Sequence, residues 1–182
     1  MYRPLVAAVL ALSLLPVAAF ASSPAATATA TIVSAGAMHP LPQAAYQPDP
    51  AVTYKVVFNL TRGAKEPGQI NPALERVART VNLYTNAGVP LSHLKFVAVA
   101  SGAATAAMLD NAHYQKEFGV ANPNLVVIAE LRKAGIDVAV CGQAVAEHHY
   151  KNSWIDKQVT LALSALTTVT VLEQKGYALL PL

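Results

Sequence analysis

Five short runs of apolar and β-branched residues recur along the chain, and the segments between them repeat their apolar residues every three or four positions. The run at 54–60 reads YKVVFNL and the run at 94–100 reads LKFVAVA. Such compact runs are typical of strands buried on both faces, and the intervening spacing is typical of amphipathic helices. The pattern therefore predicts strands near residues 54–60, 94–100, 136–141, 159–163 and 177–181.

Helix signals fill the gaps between these runs. Asn71 and Pro72 combine a good N-cap with proline at the first helical position, and Gly88 supplies a stop. Ser164 caps a second helix that extends to Lys175. Because strands and helices alternate, we predict a three-layer α/β/α domain with a mainly parallel sheet of about five strands.

Three further segments of the sequence each carry a prediction. Residues 61–70 form a glycine-containing loop that fits neither GxGxxG nor GxxxxGK[ST], so we expect no nucleotide cofactor, and no other cofactor is indicated. Residues 110–119 are typical of a broken helix or a lid. Residues 125–134 are apolar nearly all round, which predicts a well-buried helix.

The first 52 residues are predicted to lie outside the domain. Arg3 precedes an apolar run that ends in Ala19-Phe20-Ala21, so residues 1–21 are expected to be a cleavable signal peptide. Residues 22–52 are rich in Ala, Thr and Pro and are expected to form an extended arm ahead of a domain at 53–182. We expect a periplasmic or secreted protein with no membrane segment after cleavage.

The net charge and its distribution bear on whether the protein binds nucleic acid. The 182-residue chain has a formal charge of +3, and removing residues 1–21, which contain Arg3 and no acidic residue, leaves +2. Lysine and arginine form no cluster and do not alternate with aromatic residues. We therefore expect no nucleic-acid partner.

Cys141 is the residue around which the chemistry is predicted to be organised. It is the sole cysteine, so no internal disulfide can form, and it ends the predicted strand at 136–141. Carboxyl ends of parallel strands face a crevice, and the N-terminus of a following helix favours a thiolate. Cys141 is therefore a candidate nucleophile with an accessible sulfur. A packed, inert thiol is the alternative, because free cysteine is usually buried.

Four other residues are candidates for binding a substrate near Cys141. Gly142 lets the backbone turn beside the cysteine, and Ser101 and Gly102 end the preceding strand in the same manner, so that their amides could line one crevice. His113 has a pKa range suited to proton transfer, although a lone histidine is more often a surface or packing residue.

No metal site is predicted. The adjacent His148 and His149 cannot both point to the same side of a helix, because only residues three or four apart share a face. No spacing of histidines with other ligand types matches a known metal-binding pattern.

With these features in view, residues 54–182 resemble the DsrE/DsrF-like sulfur-relay family. The resemblance rests on the opening strand, Ser101-Gly102-Ala103, the strand ending in Cys141-Gly142, and the segment from Ser164-Ala165-Leu166 to Lys175-Gly176-Tyr177. It implies a persulfide on Cys141, a donor or acceptor that is a protein or a small sulfur compound, and a homotrimer or hexamer.

Two functions follow from the sequence. The first is a sulfur carrier, in which Cys141 receives sulfane sulfur and acts in a sulfurtransferase-like way. The second is a non-enzymatic oligomeric module that binds a small ligand or a partner and has an inert cysteine. The apolar segments at 125–134 and 154–155 favour self-association in either case, because one small sheet should not cover them all.

Overall fold

A five-stranded parallel sheet forms the centre of the computed structural model, which describes residues 30–182. The strand order is β4-β3-β2-β1-β5, and every neighbouring pair is parallel. The strands are β1 (Tyr54–Leu60), β2 (Leu94–Ala100), β3 (Asp137–Cys141), β4 (Thr160–Ala162) and β5 (Ala178–Pro181). All five predicted strands are confirmed, the first two with the predicted bounds.

Five α-helices connect the strands: α1 (Pro72–Asn86), α2 (Asn111–Phe118), α3 (Asn124–Lys133), α4 (Gly142–Glu147) and α5 (Ala165–Gln174). Short 3-10 segments at Leu91–His93, Gly102–Met108 and Asn152–Trp154 complete the connections. The predicted cap of α1 is confirmed, because the Asn71 side chain accepts hydrogen bonds from the amides of Ala73 and Leu74. The three-layer α/β/α architecture is likewise confirmed.

The two faces of the sheet are covered unequally. On one face, α1 and α3 pack on the larger apolar core, which includes Phe58, Phe96 and Ile128. On the other face, α5 packs on a smaller cluster that contains Val57, Val99 and Cys141. Cys141 therefore belongs to the thinner layer, where a single long helix covers the sheet.

The described part of the predicted arm lies against the helices of the thicker layer. Ile32 is fully buried, and its amide donates to Oδ1 of Asn82 at 2.8 Å while its carbonyl oxygen accepts from Nδ2 of the same residue at 2.9 Å. Oε2 of Glu130 accepts from the amides of Val33 and Ser34 at 2.7 and 3.0 Å. The predicted signal peptide at 1–21 and arm residues 22–29 lie outside the described residues.

Two local expectations are corrected. Residues 110–119 contain one regular helix, because the Asp110 carboxylate caps its first turn and Gly119, with φ of 77°, ends it. Large exposed apolar side chains are more numerous between residues 161 and 180 than at 125–134, where Val126 is half-exposed but Val127, Ile128 and Leu131 are fully buried. Within residues 30–182, no helix is both long and apolar enough to cross a membrane.

Candidate functional site

Cys141 occupies the carboxyl end of β3 and is also the N-cap of α4. Its Sγ atom accepts a hydrogen bond from the amide of Ala144 at 3.4 Å, because the chain turns directly from strand into helix. The residue is 5% exposed. The strand-end position is as predicted from the sequence, but the sulfur is more enclosed than an open crevice would leave it.

A second helix N-terminus meets the same sulfur. Ala165, at the start of α5, packs in the same buried cluster as Cys141. Its amide and the hydroxyl of Ser164, the N-cap of α5, favour the anionic form of the sulfur, as do the α4 amides of Ala144 and Gln143. Burial by itself raises the pKa of the Cys141 thiol. The four donors outweigh burial, so the pKa of Cys141 lies below its ordinary value. Such a shift favours the thiolate, which is the nucleophilic form.

Gly142 is needed for close packing at this site. Its backbone lies outside the left-handed region, so the turn does not itself require glycine. A Cβ atom at this position would instead lie 2.8 Å from the carbonyl oxygen of Ala162 and 3.4 Å from that of Leu163. Gly142 thus lets the start of α4 pack on the end of β4, which is a different reason from the turn expected from the sequence.

Ser101 and Gly102 lie beside Cys141, yet their amides do not supply the donors. Ala100 pairs with Val140 in the parallel register, so Ser101 follows at the position next to Cys141. The Ser101 amide already donates to the carbonyl oxygen of Leu60 at 2.8 Å. The groups that lower the pKa of Cys141 belong to α4 and α5, and the substrate-binding role of Ser101 and Gly102 stays a prediction.

A histidine that was not selected from the sequence reaches the Ser101–Gly102 turn. Nε2 of His148, at the end of α4, lies 3.0 Å from the carbonyl oxygen of Gly102. This contact ties the end of α4 to the end of β2. Gly102 has φ of 52°, a left-handed conformation that glycine adopts without a side-chain clash.

His113 is held in a different cluster. Its Nδ1 atom lies 2.9 Å from both carboxylate oxygens of Asp110, and its ring stacks on Trp154 at a centroid distance of 4.7 Å. These contacts fix the ring against α2 and the 3-10 segment at Asn152–Trp154. The described contacts of His113 are with Asp110 and Trp154 and include none with Cys141, and the substrate-binding role of His113 stays a prediction.

Ser164 and Ala165 are the site residues that sequence reasoning missed. Ser164 was recognised as the cap of a helix that follows a strand, and the carboxyl ends of parallel strands share one edge of the sheet. Their proximity to Cys141 depends on β3 and β4 being neighbours, which the sequence did not reveal. Leu163 and Leu166, on either side of this pair, are 73% and 80% exposed.

Metal binding has no support in the described part of the chain. Among residues 30–182, no group of three or more His, Cys, Asp or Glu side chains is arranged to hold a metal ion. The site therefore offers the chemistry of a thiol whose thiolate form is favoured, near the exposed side chains of Leu163 and Leu166.

The fold and the site together define a class of protein: an open parallel α/β domain whose thiol lies at the carboxyl edge of the sheet, at the N-terminus of α4 and packed near that of α5. A model of the DsrE/DsrF-like family matches residues 55–182, and the chain belongs to this family, which is associated with sulfur relay. The resemblance noted from the sequence is confirmed.

Comparison with solved structures supports the fold. The structure of a protein of unknown function, MTH1491, from Methanobacterium thermoautotrophicum is similar, with a TM-score of 0.52 and 15% sequence identity. The similarity covers 71% of this chain and 99% of that one. Among curated proteins, no match is found.

Proposed function

We propose that this protein is a sulfur carrier in which Cys141 receives sulfane sulfur and holds it as a persulfide. The observation that carries the proposal is the position of Cys141 as the N-cap of α4, where Sγ accepts a hydrogen bond from the amide of Ala144 and packs in one buried cluster with Ala165 at the start of α5. Polar groups of both helix N-termini lower the pKa of this thiol. A buried cysteine that serves only packing needs no such set of donors. Membership of the family supports the same reaction class.

The transfer step is a displacement at sulfur. The Cys141 thiolate attacks the terminal sulfur of a donor persulfide, R–S–S⁻, and a new S–S bond forms as the donor S–S bond breaks. The donor leaves as the thiolate R–S⁻ with the electron pair of the broken bond. The products are Cys141–S–S⁻ and R–S⁻, so charge is conserved and no external oxidant is needed. The same amides that stabilise the thiolate then face the persulfide anion.

Access to the sulfur requires local movement. Cys141 is 5% exposed, whereas Leu163 and Leu166, which flank Ser164 and Ala165, are largely exposed. A small polysulfide or the persulfide of a donor protein would reach Sγ past these two leucines. Burial in turn limits water and oxidants at the persulfide, which suits a carrier exported to an oxidising compartment.

Mass spectrometry of the intact protein tests this function. After treatment with polysulfide, the wild type should gain the mass of one or more sulfur atoms, and a reductant should remove them. Cys141→Ser removes the sole cysteine and should gain none. If the folded wild type gains no sulfur while the same protein modifies readily in denaturant, Cys141 is an inert packed thiol and the carrier function is wrong.

A binding module is the second candidate, and a specific groove favours it. The sheet face under α5 leaves a groove of about 270 Å³ whose lining includes Ala139, Ala162, Thr168 and Leu172. Cys141 does not line this groove. Under this alternative a small apolar ligand binds there with the cysteine uninvolved, and binding is the same in wild type and Cys141→Ser.

The proposal also covers the cellular location of the protein and its oligomeric state. Export is supported by the sequence of residues 1–21, and a mature N-terminus at Ser22 in a periplasmic fraction would establish it. Self-association is supported by the exposed leucines of the α5 layer, and the trimer or hexamer follows from the resemblance to the family alone. Both features are independent of whether Cys141 carries sulfur.

A further inference from the structure

Residues 31–37, the arm segment, lie in a groove between α1 and α3 without forming a helix or strand of their own. Ile32 is fully buried and Ala35 nearly so, whereas Val33 between them is largely exposed. The arm segment thus inserts two apolar side chains into the domain and turns a third to solvent. Peptide ligands gain specificity in this way, through anchor side chains that fill pockets.

The buried side chain of Asn82, on α1, binds the backbone of the arm segment at two places. Its Oδ1 atom accepts from the amide of Ile32 at 2.8 Å. Its Nδ2 atom donates to the carbonyl oxygens of Ile32 and Gly36 at 2.9 and 3.0 Å. The arm segment therefore bends around one amide group, which uses both its donor and its acceptor atoms on backbone.

Two carboxylates of the same helices bind the remaining polar groups. Oε2 of Glu130, on α3, accepts from the hydroxyl of Ser34 at 3.0 Å in addition to the amides of Val33 and Ser34. Oε2 of Glu75, on α1, accepts from the amide of Gly36 at 2.9 Å. Every one of these recognition groups belongs to the domain, so the groove does not need the arm to be built.

Gly36 is the residue of the arm segment that the groove selects most strictly. A Cβ atom at this position would lie 2.4 Å from the backbone nitrogen of Arg79 and 2.5 Å from the carbonyl carbon of Ala78. Backbone of a packed helix cannot yield by that much. A residue larger than glycine therefore cannot occupy this position while the arm segment is docked.

The connection between the arm segment and the domain lies on the surface. Residues 39–47 are all exposed, and the side chain of Gln47 donates to the carbonyl oxygens of Leu41 and Ala44 within the same stretch. The described hydrogen bonds of the arm segment to α1 and α3 are made by residues 31–37 themselves. The connection thus acts as a tether.

We propose that the groove between α1 and α3 is a peptide-binding site whose tethered ligand is the arm segment, and that a segment of the same pattern on a separate chain can take its place. The pattern, read from Ile32, Ser34 and Gly36, is a β-branched apolar residue, a hydroxyl residue two positions later and a glycine after two more. The groove lies on the face of the sheet opposite Cys141, so the site is independent of sulfur transfer.

The full-length Gly36→Ala chain tests this site, because the change displaces the arm segment and leaves the side chains of the groove in place. A fluorescent peptide with the sequence of residues 30–38 should bind this chain at least tenfold more tightly than it binds the wild type, as measured by fluorescence anisotropy. The reason is competition, since a tethered ligand has an effective concentration of roughly millimolar.

Three controls accompany this measurement. Val33→Ala changes an exposed side chain and keeps the arm segment docked, so it should bind the peptide as weakly as the wild type. A peptide that itself carries the Gly36→Ala change should bind neither chain. Adding Asn82→Ala to the Gly36→Ala chain should abolish binding, with circular dichroism to show that the double variant is folded.

Equal binding of the peptide to folded Gly36→Ala and to the wild type would overturn the proposal, as would equal binding of the altered peptide. If Gly36→Ala does not fold, the wild type cleaved by chymotrypsin after Tyr46, which is fully exposed in the tether, replaces it. The labelled peptide should then bind the cleaved protein and not the uncut one. A cleaved protein that does not take up the peptide would refute the site.

Discussion

The backbone of Gly142 packs so closely on Ala162 that a Cβ atom added to the glycine would lie 2.8 Å from the carbonyl oxygen of Ala162. Side chains do not tolerate that distance to a rigid backbone atom. The contact joins α4 to β4, and it places Cys141, one residue earlier, beside the N-terminus of α5. The geometry of the thiol therefore depends on the absence of one methyl group.

Gly142→Ala should destabilise the protein by about 1–3 kcal/mol, because overpacking forces the backbone to shift. A loss of stability in this variant would be informative, because alanine is favoured over glycine in a helix and would otherwise stabilise α4. Urea denaturation measures the change. Gly68→Ala is the matched control, because a Cβ at Gly68 has no neighbour within 4 Å. Equal stabilities of the two variants would show that the contact at Ala162 relaxes freely.

Ile32→Ala should reveal that residues 30–37 are part of the fold. Ile32 is fully buried, and removing a buried isoleucine side chain to alanine typically costs about 2–5 kcal/mol. The neighbouring Val33 is 78% exposed, so Val33→Ala should change stability by less than about 0.5 kcal/mol. Thermal denaturation compares them. An Ile32→Ala variant as stable as Val33→Ala would mean that the arm is not held in solution.

At acid pH the arm at residues 30–37 should be held less tightly, because Glu130, which accepts hydrogen bonds from the arm, becomes protonated. Burial raises the pKa of this carboxyl, but bonds from the Ser34 amide and hydroxyl and the Val33 amide, aided by Lys133, lower it overall. A folded-state pKa below the unfolded one gives a stabilisation that is present above the unfolded value of ~4.3 and is lost as the pH falls through the folded value.

Glu130→Gln tests this pH dependence. The variant should be less stable at neutral pH and should lose less stability than the wild type between neutral pH and the acid range, because its amide does not titrate. Denaturation midpoints measured across that range provide the readout. The exposed Glu66, changed to Gln, should reproduce the pH profile of the wild type. Parallel profiles for Glu130→Gln and the wild type would contradict the assignment.

Self-association should depend on the α5 layer. Leu166 is 80% exposed on that side of the sheet, and Leu166→Lys places a charge where a second chain would bury an apolar side chain. Light scattering at micromolar concentration should give the mass of three or six chains for the wild type and a lower mass for the variant. Val33→Lys, similarly exposed on the opposite side, should leave the mass unchanged. A monomeric wild type would refute the assembly.

Local signals in the sequence determined much of this fold. Five apolar runs gave the strands, Asn71 and Ser164 gave the helix starts, and the alternation of elements gave the parallel three-layer arrangement. Each of these depends on residues close in sequence, where burial periodicity and capping operate. The position of Cys141 at a strand end follows from the same local reasoning.

Tertiary structure alone decided which residues meet Cys141. Ser164 and Ala165 approach it because β3 and β4 are neighbours and Gly142 allows close contact, whereas the Ser101 amide is already paired with Leu60. His113 pairs with Asp110, three residues earlier in the same helical turn, and stacks on Trp154. The stacking on Trp154 and the contacts around Cys141 join residues far apart in the chain, so they depend on strand order and packing, and the periodicity of a single segment does not encode either.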